Sequence, residues 1–319
     1  MDDSPQPEPD AQDKPADDDG QPSHTYVAVL WESLNNEEDT VMTWGPPQIL
    51  EQKLRATVIT PKGQNTIDVW LQSLGGSADE AYRYMLLFRE YAARVRVVVG
   101  YHAKSAATLM LLGADEIFMG TTSDLGPLDV QIYVDEQDRY TSALDIARSV
   151  EHMAGMALDI ALSGGGAVHG ITGIPRRQVL PEILGFATRL VEPIVAKLDP
   201  SAIHRASNQL EVASEYGERL LRMRADPMTL EDARSLTYHL VNHYPSHGFI
   251  ISRDEAVRIG LPVKPLTDYE LVDAFEAMAS KFEDDNTTCV AFKLPDPAQP
   301  GAEDVQAVDE SDETVQGGN

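Results

Sequence analysis

Side chains and backbone able to act on a substrate gather at two places in the first half of the chain. One is Ser105, within "VVVGYHAKSAATLMLLGADEIFMG" (97–120), where an apolar run breaks at Gly100 and a second begins just after the serine. Its neighbours are Lys104 and the small residues Ala106 and Ala107. A serine that opens a helix most often caps it, its hydroxyl accepting a bond from an amide two or three residues on. At a strand–turn–helix junction with small neighbours it can instead be a nucleophile, with space for a substrate carbonyl above it. The other place is "SLGGS" (73–77), where Gly75 and Gly76 join a strand to a helix start. Glycines there allow a sharp turn and expose N–H groups beside the positive end of a helix, the donors a developing oxyanion requires. Each stretch alone also has a plain reading, as a capped helix and as a tight turn.

Periodicity and breakers give the secondary structure around both stretches. "TYVAVLWE" and "RATVIT" read as strands separated by a polar stretch with a Gly-Pro-Pro break, and "IDVWLQ" (67–72) as another strand. "ADEAYRYMLLFREYAARV" is a long amphipathic helix, opened by the capping box of Ser77 and Glu80. "RVVVG", "SAATLMLLGA" and "EIFMG" then read as strand, short buried helix and strand. Alternating strands and helices with short connections and near-continuous apolar strands predict a parallel sheet covered on both faces. From about residue 141 the pattern is helical: 142–162, 176–198, and roughly 201–224 and 229–243. The glycine-rich 163–175 between the first two reads as a connector, hinge or substrate lid. A short unit, "GFIISRDEAVRIGLPV", closes the chain's ordered part.

Taken in order, "D-x-W-L-Q-S-L-G-G-S", "A-K-S-A-A-T-L-M-L-L-G-A-D-E-I-F-M-G" and "L-G-P-L-D-V-Q" resemble the serine dehydrogenase proteinase family, which lies in the wider group of Clp protease, signal peptide peptidase A and crotonases. "YPSHGFIISRDEAVRIGLPV" is similar to that family's closing segment. The resemblance covers roughly 67–263. It implies an α/β fold with a Clp protease/crotonase-like superhelical ββα core and an α-helical C-terminal extension. Its units would be an acidic disordered tail over 1–23, a core over 24–140, a helical extension over 141–282 completing the same domain, and a second tail over 283–319. It implies a serine peptidase with Ser105 as nucleophile, the amides of Gly76 and Ala106 as oxyanion donors, and the peptide lying as an added strand near Gly75–Ser77. A homo-oligomer is expected by analogy, and no cofactor is implied.

The general base has several candidates. The Clp branch carries a histidine beyond the serine, near the segment matching "LGPLDVQ"; here Asp129 is the only ionisable side chain in that heptad. His247 matches the Ser/Thr-His of the family's closing segment, and histidine is the easiest base near neutral pH. The membrane-peptidase branch uses a lysine, for which Lys197 is the candidate, with Lys104 after it; Lys104 otherwise reads as a solvated surface lysine. Ala107 stands where the family usually has glycine. A non-catalytic, peptide-binding or scaffolding oligomer is one alternative. A crotonase-like acyl-CoA enzyme is another, which would want a basic patch such as that around Arg94 and Arg96.

Other clusters and the composition set bounds. His239, His243 and His247 are spaced four apart, but no H-E-x-x-H glutamate accompanies them, and no metal site is expected. Asp115–Glu116 reads as fixing a turn. The 319 residues carry a net charge of −27, with eight acids against one lysine over 1–22 and ten against one over 283–319. Both tails are rich in Pro, Gln and Gly, which predicts disorder. So acidic a chain is ill suited to sequence-independent nucleic-acid binding. One cysteine, Cys289, fits a reducing compartment, and the N-terminal stretch resembles no signal peptide, so a cytoplasmic location is expected. No run of about 20 apolar residues is present to span a bilayer.

Overall fold

The computed structural model describes residues 24–31, 47–58, 60–129, 131–134, 139–282 and 289–293. The two acidic tails expected from composition lie outside these residues, with one exception. Cys289–Lys293, expected in the second tail, forms a strand paired antiparallel to the first.

In chain order the elements of the first half are β1 (His24–Trp31), α1 (Pro47–Thr57), β2 (Asn65–Ser73), α2 (Ala78–Tyr91), β3 (Arg94–Ala103), α3 (Ala106–Leu111), β4 (Glu116–Met119), β5 (Asp124–Leu125) and the hairpin β6 (Gln131–Val134) and β7 (Arg139–Ser142). The second half holds α4 (Ala143–Thr172), α5 (Arg176–Val195), α6 (Pro200–Leu221), α7 (Leu230–Asn242), β8 (Ile251–Ser252), α8 (Arg253–Arg258), β9 (Val263–Pro265), α9 (Val272–Phe282) and β10 (Cys289–Lys293). The sheet runs β10-β1-β2-β3-β4-β9, with β1, β2, β3, β4 and β9 parallel. The architecture is therefore mixed α/β around a largely parallel sheet, as the alternating pattern predicts.

Side chains on successive strand residues face opposite sides, so each strand contributes to two cores. Tyr26, Ala28, Leu30, Ile67, Val69, Leu71, Val95, Val97 and Val99 pack on one face with residues of α2, α3, α6 and α7. Val27, Val29, Trp31, Trp70, Val98 and Phe118 pack on the other with Tyr269 and Phe275. An ion pair is buried on this second face: Arg96 holds the two Asp68 oxygens at 2.6 and 2.7 Å, and Tyr269 donates to Asp68 at 2.7 Å.

Two expectations are corrected. "RATVIT" is not a strand: residues through Thr57 complete α1, whose Leu50 and Leu54, one turn apart, are buried against the sheet. The glycine-rich stretch is not a loop either. α4 continues through Gly164–Gly170 and ends at Thr172, with Gly173 (φ +70°) as its left-handed cap. The glycines let α5 approach: a Cβ at Gly164 would lie 3.2 Å from Ile183 Cγ2. Among the described residues no helix is long and apolar enough to cross a membrane.

The end of β3 determines where the serine falls. Pairing of β2 with β3 runs in register to Leu71–Val99, then jumps to Ser73–Ala103. The bulge is stabilised by Gln72 Oε1, which accepts the Tyr101 N–H at 2.8 Å, and it needs Gly100, whose Cβ would lie 2.6 Å from the Trp31 ring. Beyond it, the Lys104 N–H donates to the Ser73 carbonyl at 3.0 Å, so the two chemistry-bearing stretches leave the sheet side by side.

Candidate active site

Ser105 sits between β3 and α3 with φ +49° and ψ −114°, the only non-glycine residue with positive φ among those described. It makes no side-chain capping bond. The capping reading of this serine is therefore excluded, and a strained turn holds its hydroxyl out of the helix. The hydroxyl donates to the Asp129 carbonyl at 3.3 Å.

Gly75 (φ +113°) packs directly on this turn. A Cβ there would lie 2.9 Å from Ser105 Cβ and 3.0 Å from the Lys104 carbonyl oxygen, so both conformation and space demand glycine. Its own N–H is engaged by Ser73 Oγ at 3.0 Å. The Gly76 and Ala106 N–H groups, by contrast, have no protein acceptor among the described residues. Gly76 precedes the start of α2, where Ser77 accepts the Glu80 N–H, and Ala106 is the first residue of α3. Two unengaged amides beside one hydroxyl are the parts an oxyanion hole needs.

Asp129 and His247 meet at the same place. His247 Nδ1 lies 2.9 Å from the Asp129 carbonyl oxygen and 3.9 Å from its Oδ2. A carbonyl only accepts, so Nδ1 carries the proton and Nε2 is the basic nitrogen. Asp129 is buried, and its Oδ1 accepts the Leu144 N–H at 3.3 Å at the start of α4. Burial pushes the Asp129 carboxyl above its ordinary range, against opposing bonds from Ser142 and Leu144 and the nearby His247. The three residues thus converge, with the main-chain oxygen of Asp129 joining Ser105 to His247.

Neither lysine is hydrogen-bonded to the Ser105 hydroxyl. Lys197 is exposed in the turn after α5, its N–H donating to the Ile194 carbonyl at 3.0 Å. Lys104 is buried rather than solvated: its ammonium donates to Asp124 Oδ2 at 2.8 Å, Leu125 O at 3.2 Å and Phe249 O at 3.4 Å. Gly126 lies against its stem, where a Cβ would fall 2.8 Å from Lys104 Cδ. Lys104 instead ties the segment carrying His247 to the end of β3. His102 completes this group through Asp124 Oδ1 at 2.8 Å.

The remaining candidates resolve as follows. Ala107 is buried in the core and does not line the space at Ser105, so its methyl costs that space nothing. Asp115 fixes a turn, accepting from Arg89 at 2.9 and 2.7 Å and from the Val95 and Ala225 amides. His239 and His243 stack at 4.3 Å, away from His247's bond to Asp129, so the three do not converge as a ligand set. The cationic patch a CoA reading wants is also absent at its proposed place. Arg96 is folded onto Asp68 and Glu270, and Arg94 pairs with Glu116 at 2.9 Å.

A hydroxyl on a strained strand-to-helix turn thus lines one space with the residues of two unengaged amides. Residues 48–152 match the family of ClpP-like SDH-type serine proteinases. This is the family that the sequence motifs resemble, and the match spans Gly75, Gly76, Ser105, Ala106 and Asp129, while His247 lies beyond it. An uncharacterized protein of Methanocaldococcus jannaschii is 35% identical over 82 residues. That alignment covers 26% of this chain and 28% of the relative. Sequence reading alone missed the residues that wall the space over Ser105: Ala78, Leu109, Leu128 and Ala213. Their apolar types mark them only as core, and Ala213 comes from α6, more than 100 residues away.

Proposed function

We propose that the protein is a serine peptidase of the ClpP-like type, with the superhelical ββα core and helical extension of that group. Ser105 Oγ attacks a peptide carbonyl while His247 Nε2 takes its proton. The carbonyl oxygen becomes the oxyanion and is met by the Gly76 and Ala106 amides. Collapse of the tetrahedral intermediate expels the amine, which receives the proton back from His247, and leaves an acyl group on Ser105. Water, deprotonated by the same imidazole, then releases the acid. Asp129 keeps the proton on Nδ1 and so keeps Nε2 basic. In the resting arrangement the serine hydroxyl points to the Asp129 carbonyl, and hydrogen bonds of unliganded sites commonly realign when substrate enters. No step requires a cofactor.

The observation that carries this reading is the uncapped, positive-φ Ser105 beside two unengaged amides. Nothing in a purely structural turn calls for a strained serine where glycine would serve. The test is labelling by a fluorophosphonate of the wild type, Ser105→Ala and His247→Ala. Wild type should label, Ser105→Ala should not, and His247→Ala should label at least 100-fold more slowly. Equal labelling of wild type and Ser105→Ala would remove the peptidase reading.

A further inference from the structure

The space beside Ser105 is very small. It measures about 10 Å³ and is lined by Gly76, Ala78, Ser105, Ala106, Leu109, Leu128 and Ala213. A volume of that size holds about one water molecule or one methyl-sized group. Every lining residue is apolar or small, and none but Ser105 presents a side-chain hydrogen-bonding group.

α6 closes the space, and its sequence explains how it comes so near. The buried residues of this helix include Ala206, Ala213 and Gly217, and a Cβ on Gly217 would lie 2.8 Å from Thr237 Cγ2 and 3.4 Å from Leu112 Cδ1. The helix is thus pressed between α7 and the end of α3, with no slack to withdraw one wall without repacking the others. Ala213, one turn before Gly217, is itself buried and supplies that wall.

Resting on the peptidase reading above, we infer that the site accepts peptides whose residue on the acyl side of the scissile bond is alanine or glycine, and that Ala213 sets this limit. The reason is geometric. With the carbonyl carbon at Ser105 Oγ and its oxygen held at the Gly76 and Ala106 amides, the substituent on the adjoining α-carbon turns to the apolar side of the space, walled by Ala78, Leu109, Leu128 and Ala213. A methyl fits; a branched or aromatic side chain does not, and the surrounding core is too densely packed to yield at low cost.

The test uses the full-length protein and peptide diphenyl phosphonates that differ only in the side chain next to phosphorus: those of alanine, valine, leucine and phenylalanine. Labelling forms an Oγ–P bond, expels phenolate and passes the serine proton to the imidazole. The alanine reagent should react at least 10-fold faster than the valine reagent and faster still than the leucine and phenylalanine ones. Ala213→Gly should narrow the alanine-to-valine ratio several-fold. Ala213→Val should depress all four reagents while keeping the wild-type far-ultraviolet circular dichroism and a cooperative urea transition, which separates a filled space from a misfolded protein. Leucine or phenylalanine reagents reacting as fast as alanine would overturn the size limit while leaving the nucleophile in place. Absence of labelling by every reagent, fluorophosphonate included, would remove the nucleophile and this inference with it.

Discussion

Replacing Ser105 by glycine and by alanine separates backbone strain from chemistry. Both variants lack the nucleophile, and both lose the bond from the hydroxyl to the Asp129 carbonyl at 3.3 Å. They differ in whether the turn at φ +49°, ψ −114° is comfortable. That conformation mirrors an ordinary extended one, so glycine adopts it freely, whereas a Cβ-bearing residue held in such a region is strained by about 1–3 kcal/mol. Against this, glycine loses roughly 0.5–1 kcal/mol through the greater freedom of its unfolded chain. The balance is about 1 kcal/mol in favour of Ser105→Gly over Ser105→Ala, or roughly 2–4 °C in melting temperature for a domain of this size. Urea denaturation of the two variants side by side measures it, and neither should react with a fluorophosphonate. An alanine variant as stable as the glycine variant, or more stable, would show that the turn holds no strain. Serine at this position would then not stand against its own backbone preference.

Further outcomes are expected elsewhere in the fold. Lys104→Met leaves the buried Asp124 facing His102 alone and should cost about 3–5 kcal/mol in denaturant titrations, with loss of labelling at Ser105 because the 247–249 segment is released. Burial acts to raise the Asp115 carboxyl, but Arg89 and the Ala225 and Val95 amides outweigh it and hold the group below its ordinary value. Its contribution is therefore complete above about pH 4 and lost as pH falls through the depressed folded value. Asp115→Asn should lower stability at pH 7 by about 3–5 kcal/mol and flatten the loss of stability on acidification below pH 4, read from urea midpoints at pH 7 and pH 3. Leu158, Leu162, Ile171, Phe186 and Leu190 lie exposed along the α4–α5 pair. The homo-oligomer expected by analogy should use this face, so Phe186→Glu with Leu190→Glu should reduce the mass seen by light scattering.

Much of the sheet was legible because its signal is local. β1, β2, β3 and β4 alternate between two buried faces and carry the apolar runs that alternation needs, and Ser77 caps α2 as the S-x-x-E spacing predicts. The failures came where local preference lost to packing. "RATVIT" has a strand's composition, yet Leu50 and Leu54 commit the residues before it to a helix that runs on through Thr57. Gly164–Gly170 has a loop's composition, yet the missing side chains serve the approach of Ile183. Cys289–Lys293 is too short a run to stand out from an acidic tail, and pairing with β1 rather than composition orders it. Within the site, Ser105, Gly75, Gly76 and Ala106 were legible because they share two adjoining strand ends. His247 stood ahead of Lys197 and Lys104 from the sequence as the easiest base near neutral pH, and the structure adds only its surroundings: one lysine is exposed, the other lies in an ion pair, and the imidazole rests on Asp129. Ala213 carried no signal, since an alanine on an amphipathic helix says nothing about what it faces.

The oxygen shared by Ser105 and His247 belongs to the main chain of Asp129, and so lies beyond the reach of side-chain substitution. Variation at position 129 can retune the imidazole but cannot release the hydroxyl. The path of the 126–129 turn sets where that oxygen lies, and because the Gly126 N–H donates to the Ala103 carbonyl and Thr108 Oγ1, the path is governed from beneath, by β3 and α3. Ser105 and His247 are consequently placed together by one stretch of backbone rather than by two independent side chains.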